Sequence, residues 1–383
     1  MKFQISTLYL ASLLSRGDAL LHHFGARGCH PPLRRSVAHL SPQSSESSEI
    51  ETDSLYCGLL ISSFNDGLKP NKSAHDFLQR GLVQSLLINQ QHSTESAVAA
   101  SAVQSPCCGP DTDSLSQLEE IDHLDQVWSH ESPLELLDQS IDKTLRFVYI
   151  PTAMYALRPE SNNTPGKQRQ RARADGKKRR TNIVQLLHEI MGPSSSDWDI
   201  QAVTVDLDDD SVKQPQGKHT DNIPTSGKDI LQKWNPHFVY IEGGNTFWLH
   251  HCMEKGGYDT LLKETLTSKP AVYCGSSAGA ILMGAYMETA CWKGWDNPQV
   301  VPGREEYEDW EGIPGLDLAS GCSFFPHMET TWETLVSEKR NELPKEAEEK
   351  LVCLNEDSVF CIGKHISSPL VLEDETQMAQ TAR

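Results

Sequence analysis

The segment Gly275-Ser276-Ser277-Ala278-Gly279 has the form G-x-S-x-G, in which a serine stands on a sharp turn between a strand and a helix. Glycines on either side let strand and helix approach closely, and the register of the motif makes Ser277, not Ser276, the expected nucleophile. Such a turn can also hold a phosphate on its free amides, so the motif alone leaves both readings open. A serine reacts only when a base takes its proton and an acid orients that base. His327, in Pro326-His327-Met328, follows the apolar run Ser323-Phe324-Phe325 and is expected just past a strand end, on the catalytic edge. By contrast, His250 and His251 fall on a helical stretch, His237 precedes a strand, and His365 is close to the tail. A chain order of Ser, acid, His directs the search for the acid to residues between 277 and 327. There Asp296, in Trp292-Lys293-Gly294-Trp295-Asp296-Asn297-Pro298, is the expected acid, with Glu288 the alternative. Capping of the turn before Pro298 would explain Asp296 equally well. A tetrahedral intermediate also needs two backbone donors, expected from Ala278 and from Gly243 or Gly244.

The elements around these residues alternate. Residues 55–62, 145–151, 200–207, 238–242 and 270–274 are short apolar runs closed by turn residues, as buried parallel strands are. Helical patterns follow at residues 73–89, 182–191, 247–255 and 280–286. This order predicts an α/β domain with a mostly parallel sheet covered on both faces, whose ligands bind at the carboxyl ends of the strands. Both glycine turns, 243–246 and 275–279, then lie on that edge, and Asn245 and Thr246 are expected substrate contacts. Residues 90–125 are polar with little periodicity and read as a surface insertion, set at about 90–140. The basic block 169–180 reads as a solvated loop leading into a helix, and Asp208-Asp209-Asp210 as a solvated turn without calcium-loop spacing.

Taken together, Gly243-Gly244-Asn245-Thr246-Phe247, Ser277-Ala278-Gly279-Ala280 and the Pro326-His327 element resemble the serine peptidases that include dipeptidase E (aspartyl dipeptidase) and cyanophycinase. The resemblance covers roughly residues 145–365. It implies a fold like class I glutamine amidotransferases, Ser277 as nucleophile, His327 as base and an oxyanion hole from Gly244 and Ala278. Cleavage of small peptides or isopeptide bonds next to aspartate, without metal, is implied as well. The sequence departs from the family in its insertion after the first strand, in Ser276 where dipeptidase E has a tryptophan, and in the tryptophan-rich loop where the acid is sought. An esterase or amidase using the same elbow, and a non-catalytic small-ligand-binding protein of the same fold, are the competing functions.

With 383 residues and a formal net charge of -19, the chain can bury a sizeable core and is a poor match for nucleic acid or anionic membranes. A small peptide is the expected partner, and a homodimer is compatible with the sequence. The ten cysteines are scattered without C-x-x-C or other ligand spacing, so no metal or cofactor is expected. Residues 1–50 form a targeting or disordered extension. Lys2 precedes a mainly apolar run with small residues near Ala19, as in a signal peptide, and an arginine-rich, acid-poor stretch follows, as in an organelle transit region. The secretory pathway or an organelle such as a plastid is thus expected, with a cytoplasmic protein carrying an unprocessed extension as the alternative. Residues 51–365 are expected to form one hydrolytic domain, and 366–383 a flexible tail.

Overall fold

A computed structural model describes residues 55–102, 126–137, 141–192 and 197–373. The chain divides into the units Met1–Ile50 and Glu51–Arg383, and the description concerns the second. The amino-terminal address therefore lies outside the described residues. Among those residues, no helix is long and apolar enough to cross a membrane.

In chain order the main elements are β1 (Cys57–Ile61), α1 (Lys72–Ala102), β2 (Thr144–Ile150), α2 (Pro165–Ile190), β3 (Asp199–Asp206) and β4 (Ser211–Gln216). There follow α3 (Gly227–Lys233), β5 (Phe238–Ile241), α4 (Thr246–Gly256), α5 (Tyr258–Thr267), β6 (Val272–Ser276), α6 (Ala278–Met283) and α7 (Thr289–Trp292). The carboxyl-terminal part adds β7 (Ser323–Phe325), α8 (Glu333–Glu342), α9 (Lys345–Glu349), β8 (Leu351–Cys353), β9 (Val359–Gly363) and β10 (Leu370–Leu372). Eight strands form one sheet in the order β10-β9-β1-β6-β5-β2-β3-β4. From β1 through β3 all neighbours are parallel, while β4, β9 and β10 join antiparallel at the two edges. The expected α/β fold is therefore present, with antiparallel borders that the apolar runs did not announce. Residues 370–372, within the stretch expected as a loose tail, pair with β9.

Successive side chains of a strand point to opposite faces, and this splits each apolar run between two cores. Leu60, Val148, Ile150, Val203, Val239, Ile241 and Tyr273 pack with α3 to α6. Cys57, Leu59, Ile61, Phe147, Tyr149, Phe238, Tyr240 and Cys274 face α1 and α2. Across β2 and β5 the rings of Phe147 and Phe238 stack at 5.2 Å and those of Tyr149 and Tyr240 at 5.9 Å. Helix cover on both faces is what a buried parallel sheet requires.

Two assignments differ from the sequence reading. The basic block is not a loop; it forms the first half of α2, which Thr164 caps by accepting the Lys167 amide and Pro165 opens. Nor are the aspartates a solvated turn. Asp206, Asp208 and Asp209 bring oxygens within 4.8 Å of one another, and Arg169 and Arg173 of α2 pair with them at 2.9 to 3.7 Å. Asp210 accepts the Lys228 amide at the start of α3.

Candidate active site

Ser277 follows β6 directly and opens α6 with φ 48° and ψ -105°, a left-handed conformation that a side chain rarely adopts. The surrounding glycines are required sterically. A Cβ on Gly275 would lie 2.7 Å from the Gly279 carbonyl group, and one on Gly279 would lie 2.5 Å from the Ile241 oxygen. Strand, turn and helix therefore interlock, and the Ser277 amide donates to the Ile61 carbonyl at 2.9 Å.

His327 is placed by a different device from the one expected. Its strand, β7, is not part of the main sheet but pairs in parallel with β8 as a separate ribbon, with Phe325 opposite Cys353. The two chains leave this ribbon side by side, so that His327 follows β7 and Glu356 follows β8. Leu354 donates to the Phe325 carbonyl at 2.9 Å and Met328 to the Leu354 carbonyl at 2.8 Å, which continues the pairing past the strand ends. Ser62, just beyond β1, ties the ribbon to the sheet. Its hydroxyl donates to the Leu354 carbonyl and accepts the His327 amide, at 2.9 and 2.8 Å, and its carbonyl accepts the Ser276 hydroxyl at 3.2 Å.

The result is a relay. His327 Nε2 lies 3.0 Å from Ser277 Oγ, and its Nδ1 lies 2.5 Å from Glu356 Oε1. With Nδ1–H donating to the carboxylate, Nε2 is left as acceptor for the serine hydroxyl. Asp296, expected in Glu356's place, instead accepts the Thr246 amide at 2.9 Å, and burial raises its pKa against that hydrogen bond. Glu288 accepts the Gly312 amide at 3.1 Å. Neither makes a hydrogen bond to the imidazole. Glu356 follows the base in the chain and so lies outside the Ser, acid, His order that pointed to residues 277–327. The available signal was the apolar run Leu351-Val352-Cys353-Leu354 ending in an acidic turn, the same pattern that located His327.

On the facing turn, Glu242 is 1 % exposed and accepts from three donors: the Gly243 amide at 3.0 Å, Arg179 at 2.9 Å and the Tyr149 hydroxyl at 2.9 Å. Gly243 is therefore held against Ser277, where an added Cβ would come within 3.0 Å of the serine Cβ. Gly244 has φ 151°, and a Cβ there would meet the Ala153 oxygen at 2.4 Å. Ala278 begins α6, and the first amide of a helix has no partner within the helix. Asn245 and Thr246 have structural partners. The Asn245 side chain caps α4 by accepting the Trp248 amide and donates to the Asn297 carbonyl, while Thr246 is buried.

A cavity of about 650 Å³ opens beside Ser277, Gly243, Gly244 and His327. One stripe of α2 forms a wall of it, with Gln168, Arg171, Ala172, Asp175, Arg179 and Asn182 recurring at three- and four-residue spacing. Arg158 lines it too. Among the described residues, the guanidinium groups of Arg158 and Arg171 have no hydrogen-bond or ion-pair partner.

Residues 214–367 match the family model of peptidase family S51. No curated protein matches the sequence. Among solved structures, the chain is similar to a candidate peptidase E protein from Listeria monocytogenes EGD-e, at 16% identity over 84% of this chain and 99% of that one, with a TM-score of 0.40. It is also similar to a peptidase from an acI-B1 Actinobacterium, at 12% identity over 84% and 89% of the two chains, with a TM-score of 0.34. The matched segment contains the elbow, the ribbon and the relay just described, and the chain is a serine-type peptidase that over those residues is similar to peptidase family S51.

Proposed function

We propose that the protein hydrolyses short peptides next to an acidic residue through an acyl-enzyme on Ser277. The observation that carries the mechanism is the relay from Ser277 Oγ through His327 to Glu356, at 3.0 and 2.5 Å, on a strained elbow. The Ser277 hydroxyl gives its proton to His327 Nε2 as Oγ bonds to the substrate carbonyl carbon, and the amides of Gly244 and Ala278 receive the charge on the carbonyl oxygen. Collapse of the intermediate breaks the C–N bond, and the proton on Nε2 passes to the leaving amine. Water then enters, loses a proton to the same nitrogen, and releases the acid while restoring the serine. Glu356 holds the imidazole in the required tautomer throughout.

Acidic substrates are favoured by the wall of the cavity. Two unpaired guanidinium groups, Arg158 and Arg171, face the space beside the nucleophile, and a planar guanidinium suits a carboxylate better than any neutral side chain. Two measurements test the reading. A fluorophosphonate probe should label the wild type at Ser277 and leave Ser277→Ala unlabelled; labelling elsewhere, or turnover by Ser277→Ala, would overturn the mechanism. In a dipeptide screen, Arg171→Ala should raise KM about tenfold for an aspartyl dipeptide but not for its asparaginyl analogue, as loss of a charge-assisted hydrogen bond requires. Equal effects on the two substrates would remove the acidic specificity and leave the peptidase.

A further inference from the structure

The tryptophan-rich loop lacks the expected catalytic acid, yet it touches the base. Lys293 Nζ donates to the carbonyls of Pro326 and His327, both at 2.6 Å. Around it stand three rings, with centroids at 4.3 Å for Phe325, 4.5 Å for Trp295 and 5.2 Å for Trp332. Trp295 also leans on the imidazole of His327 at 5.8 Å. The backbone held in this way is strained, since His327 has φ 56°.

We infer that Lys293 is a positioning residue for the catalytic base, its ammonium clamping the two carbonyls on either side of the His327 nitrogen and so fixing the imidazole between Ser277 and Glu356. This rests on the reading of His327 as base. Three features of the site support it. First, the clamp acts on a residue of the relay whose backbone conformation, like that of Ser277, is unfavourable outside glycine, where an external tether helps to hold a single rotamer in place. Second, aromatic faces stabilise a cation and shield it from water, so the charge acts on its surroundings at reduced dielectric. Third, burial lowers the lysine pKa to about 8, opposed by the carboxylates of Glu356 and Glu329 and by Cys353. Among the described residues, those three groups and Asp296 are the charged or titratable neighbours that act on the Lys293–His327 pair. The ammonium also brings a charge into the enclosure of the relay, so its removal, unlike a loss of packing alone, should alter the pH dependence of the rate.

The test compares Lys293→Met, Lys293→Gln and Lys293→Arg on one dipeptide, reading kcat, KM and the pH profile of kcat/KM. With donor and charge both gone, Lys293→Met should lose about 10- to 100-fold in kcat with KM nearly unchanged, and its acid limb should move to higher pH. Lys293→Gln, a donor without charge, should regain part of kcat and keep the displaced limb; Lys293→Arg should restore both. Wild-type kcat and profile in Lys293→Met would overturn the inference. So would equal losses in all three variants with an unmoved limb, which is what a purely structural role predicts. Should Lys293→Met fail to fold, the acid limbs of the other two decide, and coincidence of those limbs counts against the inference. Fluorophosphonate labelling at Ser277 in the wild type separates this outcome from failure of the mechanism itself, because labelling would persist while only the role of Lys293 fell.

Discussion

Replacing a carboxylate by its amide should affect Glu356 and Asp296 very differently, because only one of them meets the imidazole. Glu356→Gln loses the charge that stabilises imidazolium and can present an N–H where an acceptor is needed, so kcat should fall by about 10²- to 10⁴-fold. Its acid limb should move to lower pH, since a neighbouring carboxylate favours the protonated imidazole. Asp296→Asn keeps an oxygen for the Thr246 amide and should lose less than about tenfold. Steady-state rates against pH for the two variants side by side check both statements, and a collapse of Asp296→Asn with Glu356→Gln spared would return the acid to the tryptophan-rich loop. At this scale the sequence was informative where chemistry demands a rigid local pattern. Ser277 was legible from glycine spacing, and His327 from the end of an apolar run. Glu356 was hidden because its place depends on the parallel pairing of β7 with β8, a contact between segments that no local pattern reports.

Among the elements, β5 carries an acid-sensitive joint. His237 stands at its start, fully buried, and its Nδ1 accepts the Arg146 amide at 3.0 Å, while its own amide and carbonyl pair with Arg146 and Val272 of the neighbouring chains. Burial, aided by Arg146, lowers its pKa from 6.5 to about 3. The unfolded chain thus takes up a proton below about pH 6.5 that the folded chain refuses down to about pH 3. Folding stability is complete above this window and declines as pH falls through it, by up to about 1.4 kcal/mol per pH unit from this one residue. Urea unfolding at pH 7 and pH 4.5 should show a smaller acid loss for His237→Gln, which keeps an acceptor but cannot charge; an equal loss would place the acid sensitivity elsewhere. Helix α2 shows why some elements escape a sequence reading. Its basic first half resembles a solvated loop in composition, because its partners, Asp206, Asp208, Asp209 and Glu242, come from β3, β5 and their turns. Only the apolar second half, with Ile183, Val184, Leu186, Leu187 and Ile190 buried, carried a visible helical stripe.

For the whole molecule, the parallel core was legible because strands buried on both faces must be apolar throughout, whereas β4 and β10 are short, partly exposed edges with no such requirement. The net charge of -19 is not spread evenly, since the cavity beside Ser277 is lined by Arg158, Arg171 and Arg179 as well as by Asp175 and Glu242. The elbow has a consequence for the stability of the entire chain. A serine held at φ 48° costs about 1–3 kcal/mol that a glycine would not, against about 0.5–1 kcal/mol for the greater freedom of glycine when unfolded. Ser277→Gly should therefore melt higher by roughly 2 °C, which calorimetry would detect, and an unchanged or lower midpoint would show that the turn is not strained. If it does melt higher, loss of the nucleophile is a downhill step. Duplicate copies released from selection could drift to an inactive form and still fold, and a screen that rewards only expression or heat resistance would gather dead enzymes at this position.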